Sequence, residues 1–294
     1  MSNEFLGVSG SSGFCGSAIL NEALNQNLKV RSFNRNKGLL SLSNHSYVEC
    51  DLSNFDSLSV NNFNGLTAFI HAGGIAHQKG TKHDQYMSIN YDATVKLFNL
   101  CAEAGVKHFI FLSTVAVYGV ASAREPLSIN SPVNPITDYA KSKLKAEEYI
   151  LNASQKIDMR VTVLRLPLIY GASPPGSLGL LKLLSALPIP LPFGGIRNKR
   201  SMLSVSGLAK ITLAISTQKL FIEGLHLLVE SNSFSTPSII SSFRSDVARP
   251  KWLFSVPSTF LKILFIILLR PKMYEQLTQN LLFISSVDWE EMFK

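Results

Sequence analysis

The feature that most constrains the fold is a glycine-rich turn between a short apolar segment and a helical segment near the start of the chain. The apolar segment EFLGVS (residues 4–9) favours a β-strand, and SAILNEALNQN (17–27) has apolar residues at helical spacing. Between them lies GSSGFCG (10–16). Glycines in a strand-to-helix turn let the backbone approach a pyrophosphate closely. The sequence therefore predicts a dinucleotide-binding turn.

Two overlapping glycine patterns compete for the turn, one starting at Gly7 and one at Gly10. The first would leave a strand of about three residues and put Gly16 inside the helix, where glycine costs about 1 kcal/mol relative to alanine. The second keeps a full strand and makes Gly16 the position where helix and strand pack closely. We therefore predict that Gly10, Gly13 and Gly16 form the turn and that Gly7 belongs to the strand.

The first half of the chain alternates between strand and helix patterns. Strands are predicted at 4–9, 28–33, 47–50, 67–72, 107–113 and 159–166, with helices at 17–27, 84–104 and 138–154. This alternation is typical of an α/β fold with a doubly wound parallel sheet of the Rossmann type and helices on both faces.

The pattern changes after YGASPPGS (170–177), where prolines become frequent. We expect residues 1–170 to form an NAD(P)-binding Rossmann domain. Residues 171–294 are expected to form mainly a smaller C-terminal lobe for substrate. Some segments of this half, such as the strand candidate at 225–230, are expected to return to the main sheet.

Charge and cysteine content narrow the range of functions. The chain has 294 residues and a net charge of +8, but its basic residues are scattered, which argues against a nucleic-acid track and favours an anionic small ligand. Cys15, Cys50 and Cys101 show neither metal-ligand nor disulfide spacing, so no metal site is expected. A reducing, cytoplasmic location is expected, without a signal peptide.

One strongly apolar segment tests this soluble interpretation. Residues 252–269 (WLFSVPSTFLKILFIILL) contain Pro257 and Lys262, and their uninterrupted apolar run is far shorter than the ~20 residues needed to cross a bilayer. The favoured interpretation is a helix that is buried or forms an interface. Contact with a membrane surface is the less favoured alternative.

The end of the second predicted strand bears on the choice of cofactor. An acidic residue there would hold the ribose hydroxyls of NAD, but the sequence has Asn34 followed by Arg35. A missing carboxylate removes repulsion toward a 2′-phosphate, and an arginine offers a planar cation to bind it. NADP is therefore favoured over NAD, with both open. Asp51, after the third strand, could contact the adenine amine or cap the next helix.

The helix at 138–154 carries a candidate catalytic pair. Tyr139 and Lys143 are four residues apart and therefore share one helix face. A nearby ammonium stabilises a phenolate, so Lys143 is expected to lower the pKa of Tyr139 and fit it for general acid–base catalysis. Ser113 and Thr114 end the fifth strand, at the carboxyl edge where such sheets bind ligands, and either could donate a hydrogen bond to the same substrate oxygen.

A series of short motifs follows the order and spacing of one enzyme family. They are GSSGFCG (10–16), DL (51–52), IHAGG (70–74), NYDAT (90–94), STVAVYG (113–119), YAKSK (139–143), RLPLIYG (165–171) and RNKRSMLSVSGLA (197–209). By these motifs the chain resembles the extended short-chain dehydrogenase/reductases, in particular the NAD-dependent epimerase/dehydratase family acting on nucleotide sugars. The stretch LPIPLPFGGIRNKRS (187–201) resembles a subgroup that contains UDP-glucose 4-epimerase-like and UDP-N-acetylquinovosamine 4-reductase-like members.

The resemblance assigns a role to each matching residue. It makes Tyr139 the catalytic acid/base, Lys143 its partner and Thr114 the third catalytic residue. It implies that Thr114 and Arg200 bind substrate, with Arg200 on the diphosphate. The residues predicted to bind the cofactor are Gly10, Ser12, Gly13, Phe14, Gly16, Asn34, Arg35, Asp51, Leu52, His71, Ala72, Gly73, Asn90, Ser113, Tyr139, Lys143, Pro167 and Ile169.

The resemblance also limits the reaction. The 4,6-dehydratases have an Asp-Glu pair after the catalytic threonine, whereas Val115 and Ala116 stand here, which argues against dehydration. A 4-epimerase and a 4-keto reductase of a UDP-hexose remain, both in bacterial surface polysaccharide (O-antigen) biosynthesis. A cofactor-binding regulator or scaffold with weak catalysis is the alternative. The resemblance further implies a UDP-sugar substrate and a homodimer formed through the helices at 84–104 and 138–154.

Overall fold

The computed structural model describes residues 4–36, 43–76, 80–267 and 271–293. The last two residues of the apolar segment 252–269 lie outside these ranges. Within the described ranges, none of the helices has both the length and the apolar character needed to cross a bilayer.

A seven-stranded parallel sheet forms the centre of the larger part of the molecule. Its strands are β1 (Phe5–Ser9), β2 (Lys29–Asn34), β3 (His45–Glu49), β4 (Ala68–His71), β5 (His108–Thr114), β6 (Arg160–Leu166) and β9 (Gly224–Leu227). Their order is β3-β2-β1-β4-β5-β6-β9, and each neighbouring pair is parallel. The predicted doubly wound α/β fold is confirmed.

The strand order reverses next to β1. The chain builds β1, β2 and β3 toward one edge, and β4 then returns to pair with the other side of β1. In open sheets of this type the crevice for ligands lies beyond the carboxyl ends of the strands at such a reversal. The topology therefore points to the ends of β1 and β4.

Helices cover the sheet. They are α1 (Phe14–Asn25), α2 (His83–Met87), α3 (Ala93–Glu103), α4 (Asp138–Ser154) and α6 (Val205–Ser216), with a π-helical turn at Ser88–Asp92 joining α2 to α3. Helix α1 packs beside α6, and α3 beside α4. The helix predicted at 138–154 has those bounds because Thr137 caps its start, with the Thr137 hydroxyl accepting a hydrogen bond from the Ala140 N–H at 3.2 Å.

Phenylalanine rings from β2, β4 and β5, together with Phe63 from the segment before β4, fill the core under the sheet. The ring centroids of Phe33 and Phe63 are 5.0 Å apart, those of Phe33 and Phe69 are 5.1 Å apart, and those of Phe69 and Phe109 are 5.7 Å apart. All four side chains are buried. Offset and edge-on ring pairs at these separations add to the stabilisation from burial, which makes this sheet a firm support for the loops at its edge.

The chain divides into two compact units. The larger comprises Met1–Gly119, Pro132–Leu166 and Ser204–Leu228. The smaller comprises Val120–Ser131, Pro167–Leu203 and Val229–Lys294. The chain thus passes between the units more than once, and a segment from the C-terminal half supplies α6 and β9 to the larger unit.

The smaller unit has its own strands, helices and core. Its elements are β7 (Leu168–Tyr170), α5 (Gly176–Ala186), β8 (Arg200–Ser204), β10 (Ser233–Phe234), α7 (Thr236–Asp246), α8 (Ser258–Ile267) and α9 (Pro271–Thr278). Strand β8 lies between β7 and β10. Residues after α9 hold earlier segments: Asn280 accepts a backbone hydrogen bond from Ala123, and Leu281 exchanges bonds with Lys199 and Ser201.

Candidate active site

The glycine turn follows the second of the two sequence patterns. Strand β1 ends at Ser9 and α1 begins at Phe14, so Gly10 and Gly13 form the turn and Gly7 lies within the strand. Gly10 has a φ of +67°, in the left-handed region that favours glycine. A Cβ on Gly16 would collide with the carbonyl group of Gly10. The turn therefore needs glycine at both ends.

Replacing Gly16 with alanine is expected to displace this turn. Overpacking by one methyl group costs about 1–3 kcal/mol, so cofactor affinity should fall about tenfold or more. Isothermal titration calorimetry with NAD and NADP measures it. Gly105→Ala is the control. It adds the same methyl group at a position with a φ of +75°, where the new Cβ would meet no other atom within 4 Å. Equal loss of cofactor affinity in both variants would contradict the close contact at Gly16.

A cavity of about 250 Å³ opens beyond the ends of β1, β2 and β4. Of the predicted cofactor-binding residues, it is lined by Gly10, Ser12, Gly13, Asn34, Arg35, Asp51, Leu52, Ala72 and Gly73. The backbone of Gly73 lies so close to Gly10 that a Cβ on Gly10 would strike it. Glycine backbone at the N-terminus of a helix suits a pyrophosphate, so these residues fit a dinucleotide.

Asn34 ties the end of β2 to the glycine turn. Its Oδ1 accepts a hydrogen bond from the Ser12 N–H at 3.1 Å, and its Nδ2 donates to the Ser11 hydroxyl at 2.7 Å. Arg35, the next residue, is exposed at the mouth of the cavity. The position that would carry an acid in an NAD site is thus occupied by a neutral amide already engaged in holding the turn.

Asp51 is engaged by its own chain. The Ser53 N–H and hydroxyl donate hydrogen bonds to its Oδ1 at 2.9 and 2.7 Å, and these bonds hold the pKa of Asp51 below its usual value, with a smaller contribution from Arg35. These bonds close a turn and do not cap a helix, because the next helical turn begins at Val60 with Ser59 as its cap; Asp51 also lines the cavity. Its contact with an adenine amine stays a prediction.

His71 and Asn90 are buried and support the cavity wall. The His71 ring contacts the Ser9 hydroxyl through Nδ1 at 2.6 Å and the Thr94 hydroxyl through Nε2 at 2.9 Å, and burial lowers its pKa to about 3. Asn90 accepts a hydrogen bond from the Ile75 N–H at 2.8 Å and donates to the Ile75 carbonyl at 3.0 Å. Asn90 therefore fixes the backbone that follows β4, and His71 ties the end of β4 to β1 and α3.

The three candidate catalytic residues come together at the carboxyl end of β5. The Thr114 hydroxyl accepts a hydrogen bond from the Ala116 N–H at 3.1 Å and is hydrogen-bonded to the phenol of Tyr139. Lys143 lies one turn further along α4 on the same face. It is buried, with its Nζ 4.0 Å from the centroid of the Phe111 ring.

Burial decides the protonation of this pair. It raises the pKa of Tyr139 to about 12, although the Thr114 hydrogen bond acts in the opposite direction. It lowers the pKa of Lys143 to about 7, opposed by the carboxylate of Glu147. The expectation that Lys143 lowers the pKa of Tyr139 is therefore wrong for this structure: desolvation dominates, and Lys143 is itself only partly charged near neutral pH.

Ser113 points to a group that the sequence analysis missed. Its hydroxyl donates to Glu147, which lies four residues after Lys143 on α4. Arg165 of β6 donates to the same carboxylate, through Nη2 at 2.8 Å and Nε at 3.0 Å. Arg165 Nη1 also donates to the Tyr118 hydroxyl at 3.2 Å. Ser113, Glu147 and Arg165 are all buried, so the Ser113 hydroxyl supports α4, and its predicted cofactor contact stays a prediction.

Cys15 is a second neighbour of the catalytic pair. Electrostatic interactions link its sulfur to both Tyr139 and Lys143. Burial raises the pKa of its thiol to about 11, although Lys143 acts in the opposite direction. The thiol is therefore protonated at neutral pH and acts as a small, weakly polar side chain. Its position directly before Gly16 is the only sequence signal that could have placed it there.

Comparison with known families agrees with this geometry. The family described as NAD dependent epimerase/dehydratase matches residues 6–220, which is most of the chain. The chain belongs to this family. The resemblance seen in the sequence motifs is thereby confirmed.

Curated relatives of this epimerase/dehydratase family include a UDP-glucose 4-epimerase from Vibrio cholerae. It is 27% identical over 197 residues, which cover 65% of this chain and 60% of that protein. The chain thus matches less than two thirds of that relative's length. A putative UDP-glucose 4-epimerase from Methanocaldococcus jannaschii is 26% identical over 219 residues, covering 70% of this chain and 71% of that protein.

Solved structures share the epimerase/dehydratase fold. MoeE5 in complex with UDP-glucose and NAD superimposes with a TM-score of 0.72 at 19% identity, covering 98% of this chain and 91% of that one. A UDP-glucuronic acid 4-epimerase from Bacillus cereus, in complex with NAD, gives a TM-score of 0.74 at 18% identity, with 96% and 90% covered. At these identities the likeness establishes the fold.

Three predicted site residues of this epimerase/dehydratase chain lie in the smaller unit. Pro167 is buried, and Ile169 lies within β7. Arg200 donates through Nη1 to the carbonyls of Ala121 and Gln279, each at 3.3 Å, and burial lowers its pKa to about 10. Arg200 therefore stays charged at neutral pH, and its contact with a diphosphate stays a prediction.

Proposed function

We propose that the protein is an NAD(P)-dependent oxidoreductase that acts at C4 of a UDP-hexose, as a 4-epimerase. The observation that carries this proposal is the meeting of the half-buried Thr114 and Tyr139 with the buried Lys143, in the same unit as the glycine-lined cavity. The 4-epimerases among the relatives support the choice of reaction.

In this proposal each residue of the arrangement has one task. Tyr139 moves the proton at the C4 oxygen of the sugar, as a general acid or base. Thr114 donates a hydrogen bond toward the same oxygen, since its hydroxyl already reaches the Tyr139 phenol. Lys143, when charged, attracts the anionic cofactor.

The cofactor would be held by the glycine turn and the residues around it. When bound, its nicotinamide accepts a hydride from a sugar carbon and returns it. Gly10, Gly13 and Gly73 would present backbone to the pyrophosphate, and Arg35, which lines the same cavity, would offer its guanidinium to a 2′-phosphate. NADP is therefore proposed as the preferred cofactor, with NAD as the alternative that the complexes of related folds contain.

Asn34→Asp is expected to change this preference. The carboxylate can still accept the hydrogen bond from the Ser12 N–H, but it repels a 2′-phosphate by about 1 kcal/mol or more. The ratio of kcat/KM for NADP to that for NAD should therefore fall about fivefold or more. Steady-state kinetics with both cofactors measures it. Asn61→Asp, at an exposed and distant position, is the charge-matched control. A wild-type preference for NAD would overturn the NADP assignment.

A 4-keto reductase is the second candidate, and two observations favour it. Tyr139 has a pKa of about 12, which makes it a proton donor at neutral pH, as reduction of a carbonyl group requires. The neutral Asn34 suits NADP, and an epimerase that retains its cofactor gains little from NADP.

One pair of assays separates the two reactions. The protein is incubated with UDP-N-acetylglucosamine, and inversion at C4 is followed by proton NMR. It is also incubated with the 4-keto-6-deoxy derivative and NADPH, and absorbance at the NADPH band is followed. Inversion at C4 without net consumption of NADPH supports the 4-epimerase. Consumption of NADPH in proportion to the 4-keto sugar supports the reductase. If the protein binds the cofactor but catalyses neither reaction, the remaining function is that of a cofactor-binding regulator or scaffold.

The proposed process is bacterial surface polysaccharide (O-antigen) biosynthesis, in the cytoplasm where UDP-sugars are made. The three cysteines are all in the free thiol form, which suits a reducing compartment. Pairing of two copies through α3 and α4 is part of the same proposal.

A further inference from the structure

Helix α8 presents two unlike faces. Leu261 and Phe265 are buried in the core of the smaller unit, where they join the cluster that includes Leu191 and Phe243. The opposite face carries large apolar side chains in the open. Those most exposed are Phe260 at 68%, Ile263 at 55% and Ile267 at 70%, with Leu264 and Ile266 beside them.

The segment shortly before α8 in sequence also exposes large apolar side chains, and it packs on the same core cluster. Trp252 and Phe254 are exposed on either side of Leu253, which packs into the same core cluster. The segment is paired through backbone bonds: the Leu191 N–H donates to the Trp252 carbonyl at 3.0 Å, and the Phe254 N–H donates to the Leu191 carbonyl at 3.1 Å.

A buried arginine holds this segment rigidly. The Arg244 guanidinium donates to the carbonyls of Ile189, Pro250 and Trp252 at 2.5, 2.9 and 3.3 Å. The exposed side chains of residues 252–254 are therefore displayed on fixed backbone, and those of α8 lie on a helix anchored by the buried Leu261 and Phe265. We name this surface the α8 face.

The charges around the α8 face are mostly positive. Residues 247–274 contain no aspartate or glutamate, and the exposed Arg249, Lys251 and Lys262 lie among the apolar side chains in sequence. Asp246 precedes this stretch, and Glu275 of α9 lines a small cavity together with Lys262. The whole chain carries a net charge of +8.

We propose that the α8 face docks on the surface of an anionic lipid bilayer. A helix with bulky apolar residues on one side and lysine and arginine nearby, together with an exposed tryptophan, has the composition of an interfacial membrane contact. The basic groups complement anionic headgroups. A second copy of the chain fits less well, because a two-fold contact would bring the same basic residues together.

Vesicle flotation tests this proposal. The full chain is mixed with vesicles of phosphatidylglycerol and phosphatidylcholine, or of phosphatidylcholine alone. We expect flotation with the anionic vesicles and less with the neutral ones, and weaker flotation at high salt. The double variant Phe260→Glu/Ile263→Glu should lower the bound fraction at least about tenfold, because two large side chains no longer enter the interface.

A matched double variant controls for charge and exposure. Phe221→Glu/Ile136→Glu changes two residues of similar exposure, 66% and 59%, in the larger unit. It should float like the wild type, and thermal melting of both variants should stay near that of the wild type. Absence of wild-type flotation, or equal loss in both variants, would overturn the proposal. So would dimerisation in light scattering that the α8 variant abolishes without any vesicle binding.

Discussion

Replacing Tyr139 with phenylalanine is expected to lower kcat by roughly 10²–10⁴-fold, the usual contribution of a positioned general acid or base. The variant removes one oxygen, and that oxygen is the one hydrogen-bonded to Thr114. Affinity for the cofactor should stay within about twofold, because the glycine turn and its cavity are unchanged. Turnover of a UDP-hexose and calorimetric binding of NADP measure the two quantities separately.

Tyr149→Phe is the matched control for this experiment. Tyr149 lies on the same helix, and its hydroxyl also makes one hydrogen bond, donated to Asn99 Oδ1 at 3.1 Å. Both variants therefore lose the same group from α4, but only one loses it at the proposed reaction centre. Turnover of Tyr139→Phe at the level of Tyr149→Phe would refute the catalytic assignment.

Glu147→Gln is expected to lower the free energy of unfolding by about 3–5 kcal/mol, the usual cost of leaving a buried charge without its partner. The charge left behind belongs to Arg165, whose Nε and Nη2 both donate to the Glu147 carboxylate. Urea denaturation measures the loss. Glu148→Gln, on the exposed side of the same helix, should leave stability nearly unchanged.

Glu147→Gln should also change the pH dependence of cofactor binding. Lys143 is charged below its pKa of about 7 and neutral above it, so affinity for an anionic cofactor declines as pH rises through that value. The Glu147 carboxylate raises the pKa of Lys143. Its removal therefore moves the midpoint of this decline to lower pH. Calorimetric titrations between pH 5 and pH 9 follow it.

A double variant distinguishes lost pairing from lost packing. Glu147→Met/Arg165→Met replaces the ion pair by apolar side chains of similar volume, which is often close to neutral for stability. It should recover most of the stability lost in Glu147→Gln. Wild-type stability of the single variant, or equal damage in the double variant, would show that the pair does not support α4.

Local patterns in the sequence predicted the elements that carry the proposed chemistry. Glycine spacing and strand length together selected Gly10, Gly13 and Gly16, and the collision that a Cβ on Gly16 would cause shows why. The helix at 138–154 was predicted with its observed bounds from its many good helix formers, and the structure adds that Thr137 caps its start. The glycine pattern and the helix pattern both depend only on residues that are close to each other in sequence.

The sequence did not predict which side chains from distant segments are buried against each other. The sequence predicts Ser113 as a donor to a ligand, but its hydroxyl donates to Glu147, which lies on another element and is held there by Arg165. Arg165, the second of two arginines in the strand MRVTVLRL, was the available signal. The direction of the Tyr139 pKa shift was also missed, because the sequence does not state how completely a phenol is removed from water.

Because the chain passes between the two units more than once, one unit is expected to fold before the other during synthesis. Strands β1 to β6 of the larger unit emerge from the ribosome in sequence and can pair with their neighbours as they appear. The smaller unit cannot be completed in this way, since Ala123 and Lys199 must wait for Asn280 and Leu281. Contacts between such distant segments form slowly. The nucleotide-binding half is thus expected to be folded before the other half has its last partners.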